Sequence, residues 1–190
     1  SRMRHDMRHH LRTIMSYTQQ GKYQEMMEYL QEYASVITEE EKLICYCRNM
    51  AVDAVIHFYA GELRKKGIPF ECDMMLPQNI GISDTDLCKI YGNLLENAVD
   101  AVKDLLPENK PYVKMLTKVK NRKLLIEISN PYSNEIQRRE KVFYSTKHEG
   151  FGIGTASVAE VVQRMGGYVV FNTEEGIFKV NIFLPVKTVQ

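Results

Sequence analysis

Apolar positions along this 190-residue chain repeat with two different periods, and the change of period divides it. At the N-terminal end the period is helical. Met3, Met7, Leu11, Ile14, Met15 and Thr18 form one stripe over residues 2–19. Tyr23, Met26, Met27, Leu30, Tyr33, Ala34 and Ile37 form a second over 22–37. Gly21 separates the two, and amphipathic helices joined by so short a turn make an antiparallel hairpin. A lone hairpin leaves apolar surface in water. A second copy covers it, so the pattern predicts a four-helix bundle in a homodimer.

The acidic run Thr38-Glu39-Glu40-Glu41 marks the boundary, giving a helical region over 1–40 and a second domain over 41–190. A helix is predicted from about residue 42 to 66, stopped by Gly67. Residues 68–75 read as a strand, with Pro69 at its start or at a sheet edge. Ser83 with Asp86 is a capping box. It opens a helix whose stripe is Leu87, Ile90, Tyr91, Leu94, Ala98, Ala101, Val102 and Leu105, closed by Pro107. The period then becomes two. Residues 112–120 and 123–129 form a hairpin about Asn121-Arg122, and 168–172 pairs with 177–184 through Glu174-Glu175-Gly176. Between them lie a polar loop over 131–149, of the length that carries function or lacks order, and a helix over 154–165 ending at Gly166-Gly167. The fold class is therefore α+β: a helical hairpin, then a sandwich of about five strands with helices on one face.

Composition narrows the function. Apolar residues make up 44% and charged residues 26%, so a real core is available. A net charge of +1 gives no global attraction to nucleic acid or anionic membrane. Four cysteines, at 45, 47, 72 and 88, fit neither a zinc knuckle nor a CxxC redox pair and read as reduced thiols. No run approaches the roughly 20 apolar residues of a membrane span. The chain opens inside a helical pattern, as part of something longer would.

Three constellations carry candidate chemistry. Asn93 and Asn97 lie one helical turn apart, roughly 100° and 60° from the centre of the stripe at Leu94, on the shoulder between buried and exposed. An amide pair there is by itself most often a helix–sheet seam. Yet carboxamide oxygens are hard neutral ligands that suit Mg²⁺ when phosphates supply the charge. Gly150, Gly152 and Gly154 form a glycine turn leading into a helix, whose N-terminal N–H groups favour an anion. Alone such a turn is weak evidence. Here it follows Ser145-Thr146-Lys147, which offers two hydroxyls and an ammonium to phosphate. It is no P-loop, and no βαβ unit surrounds it. Third, His5 and His9 lie on the solvent side of the first helix, His5 roughly 150° from the apolar centre. An ordinary exposed, basic helix face is the commoner meaning, and the flanking arginines could draw in a phosphate or an acidic partner. Asp6 beside His5 can accept the imidazole N–H and raise the nucleophilicity of the other nitrogen. His57 and His148 have no evident partner.

In this order and spacing the three elements resemble the sensor histidine kinases, most closely the quorum-sensing, Agr-type branch. These carry the Bergerat-type ATP-binding domain shared with gyrase, the heat-shock chaperone and MutL. The resemblance covers nearly the whole chain. His5-Asp6 with Leu11 matches the phosphoacceptor box, Asn93-Leu94-Leu95-Glu96-Asn97-Ala98 the asparagine box, and Ser145-Thr146-Lys147 with Gly150, Gly152 and Gly154 the glycine box. It implies that His5 is phosphorylated from Mg-ATP with Asp6 as its activating base. It also implies that Asn97 and Asn93 hold Mg²⁺, that Lys147 and the glycine turn hold phosphates, and that residues 131–149 form a lid. His9 stands at the position used by family members to dephosphorylate their partner. The usual adenine-recognising Asp-x-Gly-x-Gly is replaced by Asn130-Pro131-Tyr132, where the Asn130 amide oxygen can still accept from the adenine amino group. The implied partners are a second copy and a response-regulator receiver domain, with no direct nucleic-acid contact. The implied location is the cytoplasmic side of a membrane-anchored receptor. Two other readings are a non-catalytic phosphotransfer and dimerisation module, and a gyrase- or chaperone-like ATPase. The latter enzymes activate water with a glutamate at the position of Asn93, and an amide cannot take a proton.

Overall fold

The computed structural model describes residues 12–33, 44–132 and 153–186. The chain divides into two compact units, Ser1–Leu43 and Ile44–Gln190.

In the first unit residues 12–19 are helical (α1) and Tyr23–Tyr33 forms α2. Gly21 adopts φ 68° between them, a left-handed conformation that glycine takes without steric cost, and the Lys22 N–H returns to the Tyr17 carbonyl at 3.0 Å. The helices touch where Thr18 Oγ1 meets Met26 Sδ at 3.3 Å and where the Tyr17 and Tyr29 rings meet edge-on at 6.0 Å. The hairpin read from the sequence is thus present over 12–33. Its extensions to residues 2–11 and 34–37 fall outside the described residues.

The second unit departs from expectation at its start. Residues 44–49 are not helical, and the helix α3 is confined to Met50–Lys65. Two side chains impose this. Asn49 caps α3 by accepting from the Val52 N–H, while its amide donates to the Gln78 carbonyl and to Asp84. Asp53 accepts the N–H groups of Tyr46 (2.7 Å) and Cys47 (3.1 Å), and Arg48 N–H bonds the Leu76 carbonyl. The segment is thereby held extended beside the end of β1 (Phe70–Met75). His57, without an evident partner in the sequence, lies 3.5 Å from Asp53 and edge-on to Tyr46.

The remaining elements are α4 (Asp84–Val102), β2 (Val113–Lys120), β3 (Lys123–Pro131), α5 (Ile153–Arg164), β4 (Tyr168–Glu174) and β5 (Ile177–Pro185), with one 3₁₀ turn at Pro107–Asn109. The five strands order as β1-β2-β3-β5-β4. β1 runs parallel to β2 at the edge, where the expected Pro69 precedes it, and every other pair is antiparallel. Asn121 and Arg122 both take positive φ (51° and 58°), as a two-residue turn matching strand twist requires.

Helices cover one face of the sheet. α4 lies at the centre, packed on α3, α5, β2 and β3. Flanked on both sides, it buries Leu95 and Val99 as well as Leu87, Ile90, Tyr91, Leu94, Ala98 and Val102 of the predicted stripe, whereas Ala101 is half-buried and Leu105 lies past the helix end. Ser83 caps it, accepting from the Asp86 N–H at 3.1 Å. The core joins Leu95, Ile126, Ile128, Val162 and Ile182, and within it Tyr91 and Thr117 share a buried hydrogen bond of 3.1 Å. Gly167 allows β4 to start against β5, since a Cβ there would stand 2.4 Å from the Phe183 carbonyl. The opposite face carries cross-strand pairs, Lys114–Glu71 (2.9 Å) and Lys179–Glu127 (2.9 Å), and a stacked Tyr168–Phe183 pair.

Candidate nucleotide site

Helix α4 presents its two asparagines midway along its length. Both Asn93 and Asn97 are half-buried, on the shoulder that the helical spacing gives. Asn93 Nδ2 donates to the Lys89 carbonyl one turn back, at 2.6 Å, so the donor end of this amide is used within the helix. Its oxygen is the end left to meet a cation or a phosphate-bound water. Glu96 is exposed on another side, where its charge and that of Asp100 add to the effect of burial in pushing the Tyr59 phenol on α3 above its ordinary pKa. A carboxylate turned toward α3 is not in line with the two amides.

β3 packs against α4 and carries Asn130 near its end. Asn130 is buried, its Nδ2 donating to the Pro131 carbonyl at 2.9 Å. The strand continues past it: Pro131 pairs with Ile177, and the Tyr132 N–H bonds the Gly176 carbonyl at 3.0 Å. Where the sequence resemblance implies a glycine turn replaced by Asn130-Pro131-Tyr132, the chain extends the ladder. Asn130, Phe178 and Thr173 are successive partners across β3, β5 and β4. Thr173 Oγ1 is the buried side-chain polar atom, among the described residues, with no hydrogen-bond partner. The sequence signal for it was available: alternation along β4 places Thr173 with Val169 and Phe171, not with the exposed positions.

α5 begins at Ile153, so Gly154 lies in its first turn. Arg164 at its far end pairs with Asp86 in the first turn of α4, which fixes the two helices side by side. Ser145, Thr146, Lys147, Gly150 and Gly152 lie outside the described residues, as do His5, Asp6 and His9. The structure therefore brings Asn93, Asn97, Asn130 and the α5 N-terminus into one unit.

The cysteines carry no competing chemistry. All four are free, and burial pushes the Cys47 thiol up to about 11 and that of Cys72 up to about 12, the opposite of an activated thiolate. Among the described residues no three His, Cys, Asp or Glu side chains are grouped as metal ligands. A cation at the asparagines would depend on oxygens supplied by its ligand, which fits a metal that arrives on a polyphosphate.

Fold and site together define an α/β sandwich of the type found in histidine kinase catalytic domains. A GHKL domain model matches residues 82–185, just over half of the chain, and the chain belongs to that family. It is 26% identical over 192 aligned positions to the sensor protein CitS of Bacillus subtilis (strain 168), covering 95% of this chain and 34% of that protein. The chain thus spans about a third of the length of this curated relative. Among solved structures, the catalytic domain of histidine kinase ThkA superposes with a TM-score of 0.55 at 19% identity, covering 72% of this chain and 92% of that one. Full-length ShkA, in complex with AMPPNP, superposes with a TM-score of 0.54 at 20% identity, over 73% of this chain and 30% of that one.

Proposed function

We propose that this chain is the cytoplasmic kinase region of a two-component sensor. Residues 41–190 bind Mg-ATP, and residues 1–40 dimerise and carry the phosphoacceptor His5. The observation that carries this reading is the half-buried asparagine pair on α4, the helix packed on β3, whose end carries the buried Asn130, in the GHKL fold. The Asn130 oxygen accepts from the adenine amino group, its own Nδ2 being occupied by the Pro131 carbonyl. Asn97, assisted by Asn93, holds Mg²⁺ through amide oxygens, and the metal's contribution is to neutralise phosphate charge. Lys147, Ser145, Thr146 and the turn Gly150–Gly152–Gly154 hold the phosphates against the N-terminal end of α5.

In the transfer, the free imidazole nitrogen of His5 attacks the γ-phosphorus. The bond from that phosphorus to the β,γ-bridging oxygen breaks, and ADP leaves with the electron pair. Asp6 accepts the proton of the other ring nitrogen. The phosphoryl group then passes to an aspartate of a response-regulator receiver domain. By the motif resemblance, His9 stands at the position that family members use to dephosphorylate that partner. Dimerisation follows from the hairpin itself. Met15, Tyr23 and Met27 are 59%, 62% and 47% exposed, apolar surface that a second hairpin covers to give a four-helix bundle. Attachment to a membrane sensor, and the Agr-type branch with quorum sensing as its signal, rest on the motif resemblance.

The test is incubation with γ-labelled ATP and Mg²⁺, scoring acid-labile, base-stable label. Label in the parent chain that disappears in both His5→Gln and Asn97→Ala supports the assignment. Label that survives His5→Gln moves the acceptor to His9 or His10. Absence of both label and nucleotide binding favours the non-catalytic module.

A further inference from the structure

At the edge of the sheet the turn after α3, the end of α4 and the starts of β1 and β2 enclose an open cavity of about 630 Å³. Its lining shares no residue with the nucleotide site. Four lysines border it, Lys66, Lys103, Lys110 and Lys114, against one carboxylate, Glu71. Its apolar wall is made by Ile68, Leu105, Pro111 and Tyr112. These segments are far apart in the sequence, and the fold brings the four lysines to the lining of one concavity.

Two of the lysines already hold carboxylates. Lys114 Nζ lies 2.9 Å from Glu71 and 5.4 Å over the Tyr112 ring, and Lys103 Nζ lies 2.7 Å from Asp100. Both pairs are open to solvent, where such contacts are weak and readily exchanged. Lys66 and Lys110 make no ion pair among the described residues. Lys110 is held at φ 45°, ψ 63° by its own N–H to the Pro107 carbonyl, a left-handed conformation costly for a side chain bearing a Cβ. Glycine would take it freely, yet a lysine stands at the rim.

We propose that this cavity binds a compact organic anion with two or more negative charges and an apolar ring or short chain, at a site separate from the nucleotide. Lysine ammonium groups recognise carboxylate or phosphate as point charges without demanding the planar geometry that arginine imposes. The volume lies within the range of small-molecule sites, and the proline and tyrosine wall supplies the apolar contact. A longer acidic peptide would use the charge and leave the concavity underfilled.

The experiment is calorimetric titration of the whole chain at low ionic strength with benzene-1,3,5-tricarboxylate, with and without excess ADP. The expected result is one saturable site per chain, indifferent to ADP and weakened by added salt. Lys66→Ala combined with Lys110→Gly, which suits the left-handed backbone, is expected to weaken binding about tenfold. Lys123→Ala, at the opposite end of β2 and β3, is expected to leave it unchanged. Circular dichroism of each variant checks that the fold is kept. Absence of saturable heat overturns the proposal. So does equal weakening by Lys123→Ala, which marks diffuse charge, or displacement by ADP, which marks the nucleotide site. Binding of hexaglutamate but not of the tricarboxylate also overturns it, in favour of an acidic peptide.

Discussion

The two units solve the same problem of apolar surface in opposite ways. In the GHKL unit, α4 is enclosed by α3, α5 and the sheet, and side chains such as Leu95, Ile126 and Val162 are wholly out of water. In the hairpin, α1 and α2 meet through Thr18 and Met26 and through the Tyr17 and Tyr29 rings. Met26 and Leu30 are half-buried, while Met15, Tyr23 and Met27 remain exposed. Layered packing closes a core within one chain, whereas two helices cannot. The GHKL unit closes its core within one chain, so under the proposed dimer the melting of the hairpin unit is expected to depend on concentration and that of the GHKL unit is not.

A core truncation exposes the contrast most strongly. Leu95→Ala is expected to cost the GHKL unit about 3 kcal/mol, through lost transfer energy and the cavity left behind. Met27→Ala, already half in water, is expected to leave the monomeric chain within about 0.5 kcal/mol and to act on the proposed dimer instead. Urea unfolding followed by circular dichroism, beside sedimentation at several concentrations, separates the two effects. A large loss in Met27→Ala at a concentration where the chain is monomeric would break the comparison.

The thiols give a second gradation, at the seam where the GHKL unit begins. Cys45 is exposed, whereas burial raises Cys47 to about 11 and Cys72 to about 12. An acid with a raised pKa keeps its proton longer. At pH 8 the thiolate fraction of Cys47 thus falls about 100-fold below that of a thiol with the ordinary value of 9. Reaction with a disulfide reagent at pH 8 is expected to label Cys45 fast and the other two slowly. The same sign makes folding stability fall as pH rises from 9 toward 11 and 12, because the unfolded chain gives up these protons first. Fast labelling of all three under native conditions would show that the seam opens.

Within the core the buried hydroxyl pair is expected to count for somewhat less than Leu95. Tyr91→Phe leaves Thr117 Oγ1 buried without a partner, at a cost of about 2 kcal/mol. Replacing both, as Tyr91→Phe with Thr117→Val, is expected to recover part of that loss. A double-mutant cycle by urea unfolding measures the coupling, and a value near zero would show that the two hydroxyls act independently.

How much of this was legible depended on whether the cause was local. The Ser83 cap, the Asn121-Arg122 turn and the shoulder position of Asn93 and Asn97 follow from spacing and turn chemistry over a few residues, and they appear as read. The extension of residues 44–49 does not. Its apolar residues suit a helix, and it is held instead by Asp53 and by Leu76, a contact nearly 30 residues away. Asn49 at the head of an apolar run was the local clue. The parallel pairing of β1 with β2 and the lysine-lined cavity were likewise beyond reach, because both are made by the way separate segments meet. For the site, the helix and strand that carry the asparagines could be placed from the sequence. That Asn130 spends its donor on the Pro131 carbonyl, while the ladder runs on to Tyr132, could not.

The smallest effect tests whether the enclosed core is fully satisfied where it meets the site. Thr173 turns its hydroxyl inward beside Phe178, in the same cross-strand row as Asn130, with no partner for the buried oxygen. A hydroxyl removed from water without a hydrogen bond is a standing cost, and valine has nearly the same shape. Thr173→Val is therefore expected to stabilise the GHKL unit by about 1 kcal/mol, a rise of roughly 2–4 °C in its melting temperature. A drop instead would mean that the oxygen is satisfied in solution by water, and that the apolar enclosure of the core stops one strand short of the edge.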